Sequence, residues 1–250
     1  MSAGLASIVV NLGAVIGVRA AVRRKAVIST IIDQALPVHS KWWREHAKEG
    51  GELLYVALGD SAAQGIGASA PHLSYVGVIA EQVRSMMART VRVVNLSVSG
   101  ATVATAVADQ LPAFRKLRPD LVTVAIGAND IAAFDAGRFE TGIRELLAAL
   151  PRHAVVADMP YFYLPWNEKK VAVANRIVRT VAAELELTVV PLHETMKHQG
   201  VRGVLTQFAI DLFHPNDHGY RVWASAFLPT IAASIVERYP TPPVTPVTAS

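Results

Sequence analysis

Five short runs rich in Val, Leu and Ile recur along this chain: LLYVAL (53–58), VRVVNL (91–96), DLVTVAI (120–126), HAVVADM (153–159) and LTVVPL (187–192). Each is apolar almost without interruption, where a strand with one wet face would alternate, so each reads as a strand covered on both sides. Helical patterns lie between them, at roughly 74–88, 103–117, 137–149 and 167–186, and a last one covers 217–237. Strands alternating with helices of that length build βαβ units, hence an α/β domain with a parallel sheet and helices on both faces. No internal repeat divides the series. A chain of 250 residues accommodates one such domain, expected over 51–238, with an apolar, helical extension at 1–50 and a Pro/Thr-rich, unstructured tail at 239–250.

Composition narrows what this domain can do. Apolar residues make up 52% and charged residues 18%, which excludes a disordered chain. The net charge of +4 is spread thinly: only Arg19, Arg23, Arg24 and Lys25 cluster, and no basic stripe interleaved with aromatics points to nucleic acid. The absence of cysteine excludes disulfides, thiolate metal sites and a cysteine nucleophile. Residues 1–18 carry no charge and precede the basic cluster, the reverse of the order in a cleavable secretory signal. As a helix they would reach about 27 Å, just enough to span a bilayer. Two expectations stand side by side: residues 1–25 associate with a membrane, leaving the body of the chain cytoplasmic, or they pack on the domain as an extra helix.

In parallel sheets of this kind ligands bind beyond the carboxyl ends of the strands. After the first strand come Gly59, Asp60 and Ser61, with Gly65 and Gly67 further on. After the second come Ser97 to Gly100, after the third Gly127 to Asp130, and beyond the fifth the stretch DLFHPNDHGY (211–220). Ser61 follows a buried strand through a tight turn, the position of a raised nucleophile, although an N-cap serine would stand there equally well. Pro215 keeps His214 outside the helix that Asn216 or Asp217 caps. Asp211, three residues back, can then accept the imidazole Nδ1 proton and leave Nε2 free as a base, while a solvated acid beside a buried histidine is the plainer alternative.

His214 and His218 are four apart, as zinc ligands on one helix would be, but Pro215 puts the two on different faces and no third ligand is apparent. No metal or cofactor is expected. His193 and His198 read as turn or surface residues. Gly100 offers an unobstructed N–H and Asn129 an amide NH₂, the donors an oxyanion needs; a tight turn and a helix cap would explain the same two residues.

GDSAAQGIG (59–67), NLSVSGAT (95–102), IGAND (126–130) and DLFHPNDHGY (211–220) together resemble, in order, the four blocks of the SGNH hydrolases, the GDSL-type lipase/esterase family. The resemblance implies a three-layer α/β/α, flavodoxin-like fold with a five-stranded parallel sheet. It implies Ser61 as nucleophile, His214 as general base and Asp211 as its orienting acid, with an oxyanion hole from the Ser61 N–H, the Gly100 N–H and the Asn129 amide. It further implies a serine esterase acting on small-molecule or lipid carboxylic esters through an acyl-enzyme. Acyl transfer on the same site and a non-catalytic binding module of the same fold are the alternatives. Phe213 departs from the family pattern, where a small residue is common, and bears on the width of the pocket. Tyr161, Phe162 and Trp166, just after the fourth strand, are the candidates for an apolar acyl or aryl pocket.

Overall fold

The computed structural model describes residues 34–239. The expectations for residues 1–25 and for the tail beyond 239 lie outside the described residues. Among the described residues no helix is long and apolar enough to cross a membrane.

Five parallel strands form one sheet: β1 (Leu53–Gly59), β2 (Val91–Asn95), β3 (Leu121–Ala125), β4 (Val155–Ala157) and β5 (Thr188–Val190), in the order β2-β1-β3-β4-β5. Four long helices follow β1 in the chain: α1 (Tyr75–Met87), α2 (Ala136–Ala148), α3 (Pro165–Glu184) and α4 (Asp217–Arg238). Strand β1 shows why three layers form. Leu53, Tyr55 and Ala57 point into one apolar core with residues of α1 and α4, whereas Val56 and Leu58 point into the other with residues of α2 and α3. Side chains alternate across a strand, so a wholly apolar strand demands a helix layer on each side. The chain leaves β1 for β2 on one side and for β3, reached from β2, on the other. The carboxyl ends of β1 and β3 therefore flank the point where strand order reverses, the crevice in which such sheets bind ligands.

Polar residues start three of these helices. The Ser74 hydroxyl accepts from Gly77 N–H to open α1, Asp135 from Arg138 N–H to open α2, and Asn216 from His218 and Gly219 N–H to open α4. Each such cap contributes about 1 kcal/mol. Proline opens α3, where its missing N–H costs nothing.

The segment expected as one helix over 103–117 is instead helical at Val103–Thr105 and Leu111–Phe114 with a π turn, Ala106–Gln110, between them. The Leu111 N–H reaches back five residues to Ala106 O. Pro112 has no N–H to give, and in a regular helix its ring would press on the carbonyl four residues earlier; the wider turn relieves that conflict. Strand β4 is shorter than its apolar run because the Met159 N–H is taken by Asn175 Oδ1 of α3, 2.6 Å away, and Pro160 follows without an N–H. Pro191 ends β5 in the same way. One compact unit begins at His39. The ring N–H groups of His39 and Trp43 both donate to Gln64 O at 3.0 Å, and Trp43 is buried, so the stretch from 39 onward belongs to the domain.

Candidate active site

Strand β1 delivers Ser61 to the crevice through Gly59 and Asp60, and Ser61 is the first residue of a one-turn helix, Ser61–Gln64. Asp60 is the N-cap, its Oδ1 accepting from Ala62 N–H at 2.9 Å. The Gln110 amide, presented by the π turn, clamps Gly59 from both sides: Oε1 accepts from Gly59 N–H at 3.0 Å and Nε2 donates to Gly59 O at 2.7 Å. Nothing in its own neighbourhood marks Gln110 except Pro112, which forces the turn that aims it.

The stretch 207–216 folds back on itself to carry His214. Phe208 and Pro215 form an antiparallel bridge, Ala209 N–H donates to His214 O at 2.8 Å, and Asn216 N–H donates to Gln207 O at 2.9 Å. The Asp211 carboxylate turns toward the histidine: Oδ1 accepts from the N–H of Phe213 and of His214 at 3.0 Å, and Oδ2 meets His214 Nδ1 at 2.5 Å. His214 Nε2 lies 2.8 Å from Ser61 Oγ. Ser61, His214 and Asp211 thus form one hydrogen-bonded chain across 153 positions of sequence. With Nδ1–H donating to Asp211, Nε2 is the acceptor facing the serine hydroxyl.

Two long-range clamps hold this loop over the serine. The Tyr220 hydroxyl donates to Ile66 O at 2.6 Å, and the Asp217 carboxylate accepts from Ser69 N–H at 2.7 Å and Ser69 Oγ–H at 2.6 Å. Gly67 sits where the two segments meet. Its φ is +96°, and a Cβ there would come within 2.5 Å of Pro215 O and 2.8 Å of His214 Cβ. Only glycine allows His214 so close to the loop that follows Ser61.

On the other side of Ser61, the loop after β2 presents Gly100 with φ +79°; a Cβ would meet nothing within 4 Å, so conformation rather than space calls for glycine. Gln64 and Asn95 secure that loop: Gln64 Nε2 donates to Ser97 O at 2.8 Å, Ser99 Oγ donates to Gln64 Oε1 at 3.0 Å, and Asn95 Oδ1 accepts from Ser97 N–H at 3.1 Å. The N–H groups of Ser61 and Gly100 make no hydrogen bond among the described residues. Asn129, in the 3₁₀ turn Ala128–Ala133 after β3, caps no helix. Its Nδ2 donates to Ala101 O at 3.0 Å and approaches Asp60 Oδ2 at a long 3.4 Å. One amide hydrogen is therefore anchored, and the other is held only weakly beside Ser61.

Two carboxyls next to the site behave oppositely. Burial pushes the Asp211 carboxyl up, but the bonds from the His214 ring, the Phe213 N–H and the His214 N–H, together with the imidazole charge, outweigh it and hold it below its ordinary value. Burial dominates at Asp60, which is 4% exposed, and raises it to about 6 despite the Ala62 N–H bond and the His214 charge; the Asp130 charge adds to the rise. The folded form of Asp60 therefore holds its proton more tightly than the unfolded chain. Its contribution to stability is greatest below the ordinary carboxylate range and is lost as pH rises toward about 6. Asp60→Asn removes that dependence. The unfolding free energy of the variant, set against that of the wild type, should rise between pH 4 and about pH 6 and level off above it, by at most about 3 kcal/mol in all. A gap that stays constant over this range would mean that Asp60 ionises at its ordinary pKa.

A cavity of about 460 Å³ opens at Ser61. Tyr161 and Phe162 line it, joined by Tyr163 and Leu164. Trp166 does not. Pro165 begins α3 directly after Leu164, so the helix turns Leu164 and Asn167 inward and leaves Trp166 66% exposed. The far wall, which the sequence did not disclose, comes from Met196, Val204, Phe208, Leu212 and Trp223. Phe213 lines the cavity as well, its ring edge-on to His214 with centroids 5.0 Å apart. His193 is not a surface residue: it is partly buried, its Nε2 is 2.8 Å from Glu168 Oε2, and Tyr161 packs edge-on against it. Glu168 Oε1 also accepts from Phe162 N–H at 2.6 Å, so α3 braces the aromatic wall. His198 is exposed, and His218 stands exposed in the first turn of α4, apart from His214. Among the described residues no three His, Asp or Glu side chains converge to hold a metal ion.

The fold recurs in solved structures. LAE5, an alpha/beta hydrolase enzyme from the metagenome of Lake Arreo, Spain, superposes with a TM-score of 0.62 at 23% identity, over 74% of this chain and 98% of its own. Axe2, an acetylxylan esterase from Geobacillus stearothermophilus, gives 0.58 at 22% identity over 73% and 95% of the two chains. TesA gives 0.59 at 22% identity over 72% and 99%. No curated protein matches the sequence. The sequence profile of the GDSL-like Lipase/Acylhydrolase family matches residues 57–222, from the end of β1 into α4, a span that holds Ser61, Gly100, Asn129, Asp211 and His214 together. This chain therefore belongs to the GDSL-like lipase/acylhydrolase family and is a carboxylic ester hydrolase.

Proposed function

We propose that the chain hydrolyses esters of apolar acyl or aryl acids through an acyl-enzyme on Ser61. The observation that carries this reading is the Ser61–His214–Asp211 chain of hydrogen bonds opening into an apolar cavity. His214 Nε2 takes the Ser61 proton as Oγ attacks the ester carbonyl. Negative charge gathers on the carbonyl oxygen, where the Ser61 N–H, the Gly100 N–H and the weakly held Asn129 amide hydrogen receive it. Collapse expels the alcohol, which leaves with the proton from His214. Water then attacks the acyl-enzyme, giving its proton to His214 in turn, and the acid is released with Ser61 restored. Asp211, kept ionised, holds the imidazole in the required tautomer and stabilises its charged form.

The acyl group lies against Tyr161, Phe162 and the residues of the far wall. One structural neighbour is an acetylxylan esterase, but the cavity here has apolar walls and room for far more than an acetyl group. Within a series of p-nitrophenyl esters kcat/KM should rise about fourfold per methylene until the cavity is filled. Tyr161→Ala should flatten that rise. A preference for acetate, unchanged in Tyr161→Ala, would overturn the assignment of the pocket. Fluorophosphonate labelling present in the wild type and absent in Ser61→Ala tests the nucleophile, and equal labelling of both would remove Ser61 from that role.

A further inference from the structure

Thirteen large hydrophobic side chains are exposed among the described residues, and eight of them fall in two short segments, 164–166 and 201–213, which is too concentrated for scattered surface residues. Both segments border the mouth of the Ser61 cavity. Leu164, Val204, Leu212 and Phe213 line the cavity and also reach outside it, so the apolar surface runs unbroken from the interior to the rim. In the short helix Gly200–Thr206, Val201, Val204 and Leu205 stand at i, i+3 and i+4, the spacing that normally faces a core. Here that stripe faces outward: Val201 is 76% exposed and Leu205 79%, while Gly203 on the opposite side is buried. Leu212 is held at φ +56°, a conformation leucine resists, with its side chain 69% exposed. That turn lets the Asp211 carboxylate accept from the Phe213 and His214 N–H groups, and it leaves the Leu212 side chain on the rim.

We propose that this apolar rim is a docking surface for an anionic lipid bilayer, which it meets with the cavity mouth facing the acyl chains. Charge supports the choice. Exposed Lys169 and Arg202, one beside each segment, have no ion-pair partner among the described residues, whereas Lys197 is paired with Glu194 at 3.5 Å and the nearby acid Asp211 is engaged by His214. A second copy of the chain seated on the rim would close the cavity, whereas a bilayer brings esterified acyl chains to it. The docking does not depend on turnover; its consequence for lipid esters rests on the esterase reading above.

The test uses the full chain with vesicles of equal parts phosphatidylglycerol and phosphatidylcholine carrying brominated acyl chains. Bromine quenches only tryptophan that enters the acyl region, and Trp166 stands on the rim. Vesicles should quench the wild type, and Trp166→Phe should lose most of that quenching. Val201→Gln/Leu205→Gln, which alters neither cavity nor net charge, should need roughly tenfold more lipid for the same quenching. Its turnover of soluble p-nitrophenyl butyrate should match the wild type. Unquenched wild type, or quenching unchanged in Trp166→Phe or in the double variant, would overturn the proposal. So would a wild-type dimer that the double variant dissociates in the absence of lipid, because the rim would then be a subunit interface. A double variant slow on soluble ester would also overturn it, by placing Val201 and Leu205 in the substrate site. Loss of Ser61 labelling with quenching intact would sink the esterase reading and leave the docking surface standing.

Discussion

His214→Ala should reduce kcat by on the order of 10⁶-fold while the protein remains folded. Without the imidazole no base lies within reach of Ser61 Oγ, and the hydroxyl must lose its proton to water as it attacks. The loop does not depend on the ring: Asp211 Oδ1 still accepts from two backbone N–H groups, and the bridge between Phe208 and Pro215 is untouched. Asp211→Asn should cost less, on the order of 10⁴-fold, because it keeps the imidazole but no longer fixes its tautomer. Steady-state rates on a soluble ester, with circular dichroism and melting curves for each variant, check both. His214→Ala turning over within tenfold of the wild type would remove it from the mechanism.

Asn129→Ala should lower kcat by roughly 10²–10³-fold, about 3–4 kcal/mol, with KM little changed. The magnitude follows from what the amide does in each state. In the resting site one hydrogen is anchored on Ala101 O and the other makes only the 3.4 Å contact with Asp60, so a strong bond from the second hydrogen forms only as the oxyanion appears. A capping role would instead show as a loss of about 1 kcal/mol in stability with turnover preserved. The turn after β3 already argues against a cap, since Gly127 occupies the position before it and no side-chain bond closes it. Normal turnover combined with a lowered melting temperature would end the oxyanion assignment.

The sequence by itself determined the strands, their burial on both faces and the residues gathered at their carboxyl ends. Those properties are written in neighbouring positions: unbroken apolar runs, helical periods between them, and polar or small residues at the turns. The same locality made Asp211, His214 and Pro215 readable, because a carboxylate, a histidine and a helix cap lie within six residues. Even the helix caps at Ser74, Asp135 and Asn216 follow from local chemistry. Tertiary structure alone decided what depends on distant segments meeting. Gln110 clamping Gly59, Asp217 gripping Ser69 and Gly67 yielding space to His214 join positions between 51 and 148 residues apart, and no short-range pattern encodes them. The cavity wall is of the same kind. Trp166, adjacent in sequence to the residues that line it, was turned outward by the helix starting at Pro165, while Val204, Phe208 and Trp223 arrived from elsewhere in the chain. Periodicity says that a residue is apolar and on which face of its element it lies. Whether that face meets a core, a substrate or solvent is fixed only when the elements pack.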